Sequence, residues 1–410
     1  MYTRMISRLA TLFAASTILG CAPGPSAMVF EGARLITGDG SAPIDNAVFV
    51  VEDGRFTAVG AAGAVDVPSG AERISLAGMT VMPAIVDAHT HLSTTRDALI
   101  TDLRRRAYYG VAAAVSLGAD GPDVPIEIHD EVIPGAALYR TAGWGITAPE
   151  PGRNPVHWVT SAEEGREAVR AEAARGVDLI KIWVDDRDGQ YEKLTPEIYG
   201  AIIDEAHSHD LRATAHIFAL EDAKGLLRAG IDMFAHGVRD RDVDNEFVRM
   251  IRERPEVILV PNLPSRGVAT DLGWLEGSMP ADELAAIEAN NRDRPEVREA
   301  YGIQARNLAR LSREGVKIAF GTDGNTPWGP HVEMEDMVAA GMSPADVIVA
   351  ATMHAAEAAG LADHGMIAAG KSADFVVLEA NPLDDITNTR RIESVYLRGE
   401  AVDRSGYAGG

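Results

Sequence analysis

Residues 81–91 read Val81-Met82-Pro83-Ala84-Ile85-Val86-Asp87-Ala88-His89-Thr90-His91. An apolar run of strand length leads into an HxH pair at its C-terminal end. A strand of a parallel sheet, buried on both faces, reads this way. On extended backbone His89 and His91 share a face about 6.6 Å apart, so both imidazoles can lean onto one ion. A second pair, His207-Ser208-His209, falls near the end of a predicted helix, where i and i+2 point to different sides. The first pair is the one suited to chemistry.

Downstream, strand-length apolar runs alternate with helical stretches, the pattern of parallel βαβ units. Strands are predicted over 81–88, 111–116, 137–142, 178–183, 211–217, 231–236, 256–260 and 316–322. Ser161 with Glu164 forms a capping box opening a helix that Gly176 ends, and Thr195-Pro196-Glu197 opens another. Eight successive strand–helix units close most economically into a (β/α)8 barrel, here spanning 83–364. Upstream, 28–82 read as short strands, with Asp53-Gly54 marking a hairpin. The segment 365–402 is β-rich as well, so both ends are expected to build one composite β-sandwich module.

The chain carries 61 acidic against 38 basic residues, a formal charge of −23, and has no basic cluster interleaved with aromatics; this excludes nucleic acid as a partner. Arg4 and Arg8 precede an apolar stretch over 9–20 that is too short to span a bilayer, so residues 1–20 read as an export signal. Ile18-Leu19-Gly20-Cys21 resembles the lipobox of bacterial lipoproteins, implying cleavage before Cys21, acylation of its thiol and a lipid anchor as the only membrane contact. The alternative is an ordinary secretory signal with a chance cysteine. Cys21 is the single cysteine, so the chain offers no intrachain disulfide and no other thiolate.

A barrel of this kind keeps its site at the C-terminal ends of its strands. Strand 1 ends in His89 and His91, strand 4 carries Lys181, strand 5 ends in His216, strand 6 in His236 and strand 8 in Asp323. Singly, His216 reads as a buried structural histidine, Asp323 as a turn residue and Lys181 as a lysine snorkelling at the mouth. Jointly, five strands supply metal-capable residues in one register, which scattered core residues have no reason to do.

These segments, with Ala373-Asp374-Phe375-Val376-Val377-Leu378, resemble the amidohydrolase superfamily, and within it the imidazolonepropionase-like and prolidase-like branch. The resemblance implies two divalent ions, zinc first among them, though His and carboxylate ligands also suit manganese, cobalt or iron. It implies that His89, His91 and Asp323 hold one ion and His216 and His236 the other, with a CO2-derived carbamate on Lys181 between them. A hydroxide bridging the ions attacks the scissile carbonyl while Asp323 carries the proton. The glutamate that related deaminases place beyond the strand 5 histidine is missing, since Ile217-Phe218-Ala219 follow His216. Deamination is disfavoured.

The substrate is less legible. A dipeptide or N-acyl amino acid leads; a cyclic amidase, lactonase or esterase on the same site, or an inactive lipid-anchored binding protein, are the alternatives. Arg239 or Arg241 is expected to clamp a substrate carboxylate, unless Asp240 and Asp242 neutralise them. Trp183 and Trp328 are expected to line the pocket and His331 to orient the substrate. The sequence is compatible with a homo-oligomer.

Overall fold

A computed structural model of the chain describes residues 27–121 and 124–406; the segment expected to be an export signal, and Cys21, lie outside them. The chain opens with β1 (Met28–Leu35), β2 (Ile44–Glu52), β3 (Arg55–Ala61), β4 (Glu72–Ser75) and β5 (Thr80–Pro83). Asp53 at φ 49° and Gly54 at φ 75° make the expected tight turn between β2 and β3, where two consecutive positive φ angles match the twist of the strands. After one residue the chain enters β6 (Ile85–Thr90), followed by β7 (Val111–Ser116), β8 (Leu138–Thr141), β9 (Ile146–Thr147) and β10 (His157–Trp158). Next come β11 (Ile180–Val184), β12 (Ala213–Ile217), β13 (Met233–Ala235) and β14 (Ile258–Val260). β15 (Phe375–Leu378), β16 (Ile392–Leu397) and β17 (Glu400–Ala401) end it.

β6, β7 and β8 pair in parallel, as do β11, β12, β13 and β14. Asp178 N–H donates to Thr141 O at 2.9 Å and joins β8 to β11. The expected eighth strand, 316–322, is no regular strand, yet it closes the ring. Ala319 N–H donates to Leu259 O at 2.9 Å on one side, while Phe320 O accepts from Ala88 N–H at 3.0 Å on the other. Gly321 permits that approach: a Cβ there would lie 2.7 Å from Val260 Cγ1 and 2.8 Å from His89 Cβ. The molecule is a (β/α)8 barrel.

The helices start and stop where their caps dictate. Ser161 Oγ accepts from Glu164 N–H and Thr195 Oγ1 from Ile198 N–H, while Gly176 takes φ 83° at the C-cap of the first of these helices. Glu164 closes its box one residue early, accepting from Thr160 N–H at 2.6 Å.

Strands from both chain ends form one mixed sheet, ordered β17-β16-β15-β5-β1-β2-β3 with β4 beside β1. A bridge between Arg55 and Ser372 curls it, so a single sheet wraps an aromatic core where two stacked sheets are expected. Phe30 stacks on Phe49 at 4.9 Å and Phe375 on Tyr396 at 4.6 Å. Alternation along β15 does the rest: Phe375 and Val377 face that core, while Val376 and Leu378 join the barrel core with Met82 and Ile85.

A buried ion pair braces the barrel seam. Arg106, on the helix Arg96–Tyr108, donates through Nη1 to Asp87 Oδ2 at 2.8 Å and through Nη2 to Gly324 O at 2.8 Å. Asp87 also accepts from Thr322 N–H at 3.0 Å and Thr322 Oγ1 at 2.7 Å. Arg106→Met leaves that carboxylate buried without its counter-charge and is expected to lower stability by about 3–5 kcal/mol. Urea denaturation followed by circular dichroism measures it; a loss under about 1 kcal/mol would show the seam does not need the pair.

Candidate active site

The seam delivers strand 1 and the segment after strand 8 to one point. His89 and His91 sit on extended backbone with ring centroids 5.4 Å apart, and both Nε2 atoms lie 3.1 Å from Asp323 Oδ1. Asp323 N–H donates to His89 O at 2.7 Å, so backbone contact sets the carboxylate's position. From the far side His236 Nε2 reaches to 3.7 Å of Asp323 Oδ2. The rings of His89 and His236 stand 5.0 Å apart, and those of His236 and His216 stand 4.6 Å apart. His236, Asn262 and Asp323, at three successive strand ends, hold φ of 88°, 45° and 56°. Such backbone costs energy in a non-glycine residue and gathers where side chains must be aimed.

Two neighbours set the imidazoles. Asn262 Oδ1 lies 2.8 Å from His89 Nδ1; with the proton on Nδ1, the bare Nε2 faces the Asp323 carboxylate. On the next strands Asp185 Oδ2 stands 3.0 Å from His216 Nε2, and Arg187 in turn bonds Asp185. Asp185 lies four residues past Lys181, so both side chains share a strand face. Neither partner stands out in the sequence: the i+4 spacing points to Asp185, and Asn262 announces itself only by following a strand.

Charge states follow from burial. Desolvation holds His89 at a pKa of about 4 and His216 at about 3, and pushes His236 well below the ordinary value. All three are neutral at pH 7, the form that ligates metals. Burial raises the Asp323 carboxyl; a positive charge beside its oxygens, such as protonated His89 and His91 would supply, holds it far below the usual range. Lys181 is 1% exposed and burial depresses its pKa to about 7. Its stem lies against Trp183, with Nζ 5.5 Å from the ring centroid. Gly145 leaves room for that ring: a Cβ there would stand 2.2 Å from Trp183 Cζ3.

Whether a cation suits these residues can be tested on the atoms themselves. His89 Nε2 and His236 Nδ1 are buried without a hydrogen-bond partner. A lone pair facing a carboxylate at 3.1 Å is repulsive unless a positive centre lies between. His89, His236 and Asp323 bring ligand atoms within 4.8 Å of one another, a cluster that could hold a metal ion. The donor set fits.

The remaining expectations divide. His91 meets Asp323 at 3.1 Å and the His216 ring stands 4.6 Å from that of His236, while Lys181 is buried close enough for its charge to bear on His89 and His216. Trp328 lines a cavity of about 300 Å³ with Leu263, Arg294 and Thr326, opening beside Thr322 and Gly324. Trp183 is 5% exposed, with the Arg153 guanidinium 4.8 Å over its ring; it packs the wall beside Lys181 and presents no open surface. His331 does not face the site. It is 1% exposed, its Nε2 bonded to Tyr109 O at 3.0 Å and its Nδ1 to Thr389 Oγ1 at 3.1 Å, so a place near Asp323 in sequence misled. Arg241 is exposed and paired with Asp240 at 2.7 Å, the bland alternative. The second HxH pair lies elsewhere, His207 bonding Asp232 at 2.9 Å.

Comparison with known proteins agrees with this geometry. Residues 80–402 match the model of the Amidohydrolase family. Ochratoxinase of Aspergillus niger is 26% identical over 86% of this chain and 81% of its own. Imidazolonepropionase of Deinococcus radiodurans is 25% identical over 87% and 92%. The solved structure of a prolidase-like protein from Bifidobacterium longum, described as a putative prolidase, superposes with a TM-score of 0.77 at 27% identity, covering 94% of this chain and 96% of that one. With a barrel whose strand ends gather the imidazoles of His89, His91 and His236 around the Asp323 carboxylate, this chain belongs to the amidohydrolase family and is a hydrolase of carbon–nitrogen bonds.

Proposed function

We propose that the protein hydrolyses the amide bond of a dipeptide or N-acyl amino acid at a binuclear metal centre. The observation that carries this is the set of uncompensated acceptors: the partnerless Nε2 of neutral His89, 3.1 Å from the Asp323 carboxylate, and the partnerless Nδ1 of neutral His236, whose Nε2 approaches the same carboxylate to 3.7 Å. His89, His91 and Asp323 would hold one ion, and His216 and His236 the second, with zinc the expected metal. When bound, such ions acidify water and polarise a carbonyl.

The chain's own residues do the rest. The neutral Lys181 amine would add to CO2, forming an N–C bond as one C=O π bond opens and releasing its proton to solvent, and the resulting carbamate would be an anion able to help hold the ions. Asn262 and Asp185 hold the His89 and His216 rings so that the opposite nitrogen of each is free to ligate. Asp323 accepts the proton of the attacking water on its carboxylate and passes it to the leaving nitrogen. The amino-acid substrate class draws support from the prolidase-like structure at 27% identity.

Metal analysis of protein loaded with zinc and bicarbonate should find about two ions per chain, and chelation should abolish amide hydrolysis. No bound metal would instead favour an inactive binding protein; turnover of lactones or aryl esters in preference to dipeptides would move the substrate class. Because only the neutral amine reacts, uptake of ¹³C-bicarbonate into a carbamate resonance should rise with pH through about 7, and Lys181→Ala should abolish the resonance. Asn262→Ala is expected to weaken metal affinity about 10–100-fold, read by competition with a chromophoric chelator. An unchanged affinity would remove Asn262 from the ligand's support.

A further inference from the structure

Lys181 and Trp183 alternate onto one face of β11, and their side chains meet against two glycines from the neighbouring strands. Gly118 stands two residues past β7 and Gly145 immediately precedes β9. Gly145 N–H donates to Gly118 O at 2.9 Å, so the two loops make one wall. A Cβ on Gly118 would lie 2.7 Å from Lys181 Cγ and 2.8 Å from Trp183 Cη2. One on Gly145 would lie 3.2 Å from Lys181 Cγ and 2.5 Å from Trp183 Cη2. Gly118 also holds φ 93°, whereas Gly145 has no such angle, so space alone excludes a side chain there.

The ring is held from a second direction. The Arg153 guanidinium lies 4.8 Å over it and pairs with Glu150 at 2.8 Å. Glu150 also takes Arg187 at 3.2 Å, and Arg187 pairs with Asp185, the partner of His216. A line of ion pairs thus ties the ring to the loop leaving β11. Lysine stems ordinarily sample many rotamers, and burying one forfeits that freedom. Here the glycine wall and the indole together leave the stem a single course, with Nζ 5.5 Å from the ring centroid and the residue 1% exposed.

We propose that Trp183, pressed against Gly118 and Gly145, is the positioning residue for Lys181: it confines the stem so that the amine accepts a small linear electrophile such as CO2 and excludes bulkier ones. The purpose of this confinement rests on the carbamate reading above. The confinement itself can be measured without metal or carbamate, because isocyanic acid is linear like CO2 and adds to the same neutral amine. The Nζ–C bond forms, the C=N π bond opens and the amine proton passes to the reagent's nitrogen, leaving a urea.

The full chain, chelated and in bicarbonate-free buffer, is treated with potassium cyanate or with trinitrobenzenesulfonate, and modification of Lys181 is read by peptide mass spectrometry. Wild type should take the first reagent and exclude the second. Trp183→Leu should admit both. On zinc-loaded protein the same variant should raise the bicarbonate needed for half-formation of the ¹³C-carbamate about 10-fold, as the stem regains rotamer freedom. Trp183→Phe should restore part of each effect. Gly145→Ala, whose methyl takes the ring's place, should resemble Trp183→Leu yet add nothing in the Trp183→Leu background, whereas a general loosening of the fold would add. Trp158→Leu, at a residue 44% exposed, should change neither readout. If Gly145→Ala does not fold, the two Trp183 variants still decide. The proposal is overturned if wild-type Lys181 accepts trinitrobenzenesulfonate as readily as cyanate, or if Trp183→Leu leaves the exclusion intact. It is overturned equally if a carbamate forms on wild type and Trp183→Leu leaves its bicarbonate requirement unchanged. Absence of any carbamate on zinc-loaded wild type would defeat the binuclear reading alone, with the choice of reagent still deciding the clamp.

Discussion

Asp87 and Arg106 meet in the barrel seam with no solvent around them, and the site's geometry depends on that meeting. Asp87 lies two residues before His89, and Arg106 also binds the carbonyl of Gly324, one residue after Asp323. Removing two charges from water is expensive, and their mutual attraction rarely returns much net stability. Their contribution here is register. With Thr322 completing the carboxylate's bonds, the pair sets how far the strand 1 histidines can move from the strand 8 aspartate. A slip of one residue on either side would turn the carboxylate away from both imidazoles.

That register produces an electrostatic arrangement that is unfavourable by itself. Three buried imidazoles are neutral, an aspartate among them is charged, and a lysine nearby has lost much of its tendency to be charged. Acceptors face acceptors. Positive φ at His236, Asn262 and Asp323 adds backbone cost at the same strand ends. A protein selected for stability alone would not gather these costs in one place. A cation of high charge offsets them together, and the same field that binds it activates water for attack on an amide.

Much of this was legible in the chain because β-strands and barrels are periodic. Once strand ends could be counted, His89, His91, Lys181, His216, His236 and Asp323 fell at one end of the barrel without any distance being known. Residues that act sideways, across loops, escaped that counting. Asp185 was hidden in a strand-4 extension, Asn262 in a loop, and Arg106 in a helix on the outside of the barrel. His331 illustrates the reverse error. Eight residues from Asp323, it sits on the helix Gly329–Ala339 and turns away to bond Tyr109 and Thr389. The irregular closing segment around Gly321 likewise follows from crowding between Val260 and His89, which no pattern of apolar residues encodes.

What this sequence determined unaided was the class of fold, the strand ends that carry chemistry and the residue types placed there, since hydrophobic period and chain order suffice for those. The tertiary structure alone decided which arginine is paired, which tryptophan is packing and which nitrogen of each histidine is free. Those are matters of a few ångströms between segments far apart in the chain, where burial and the orientation of single hydrogen bonds set charge and tautomer.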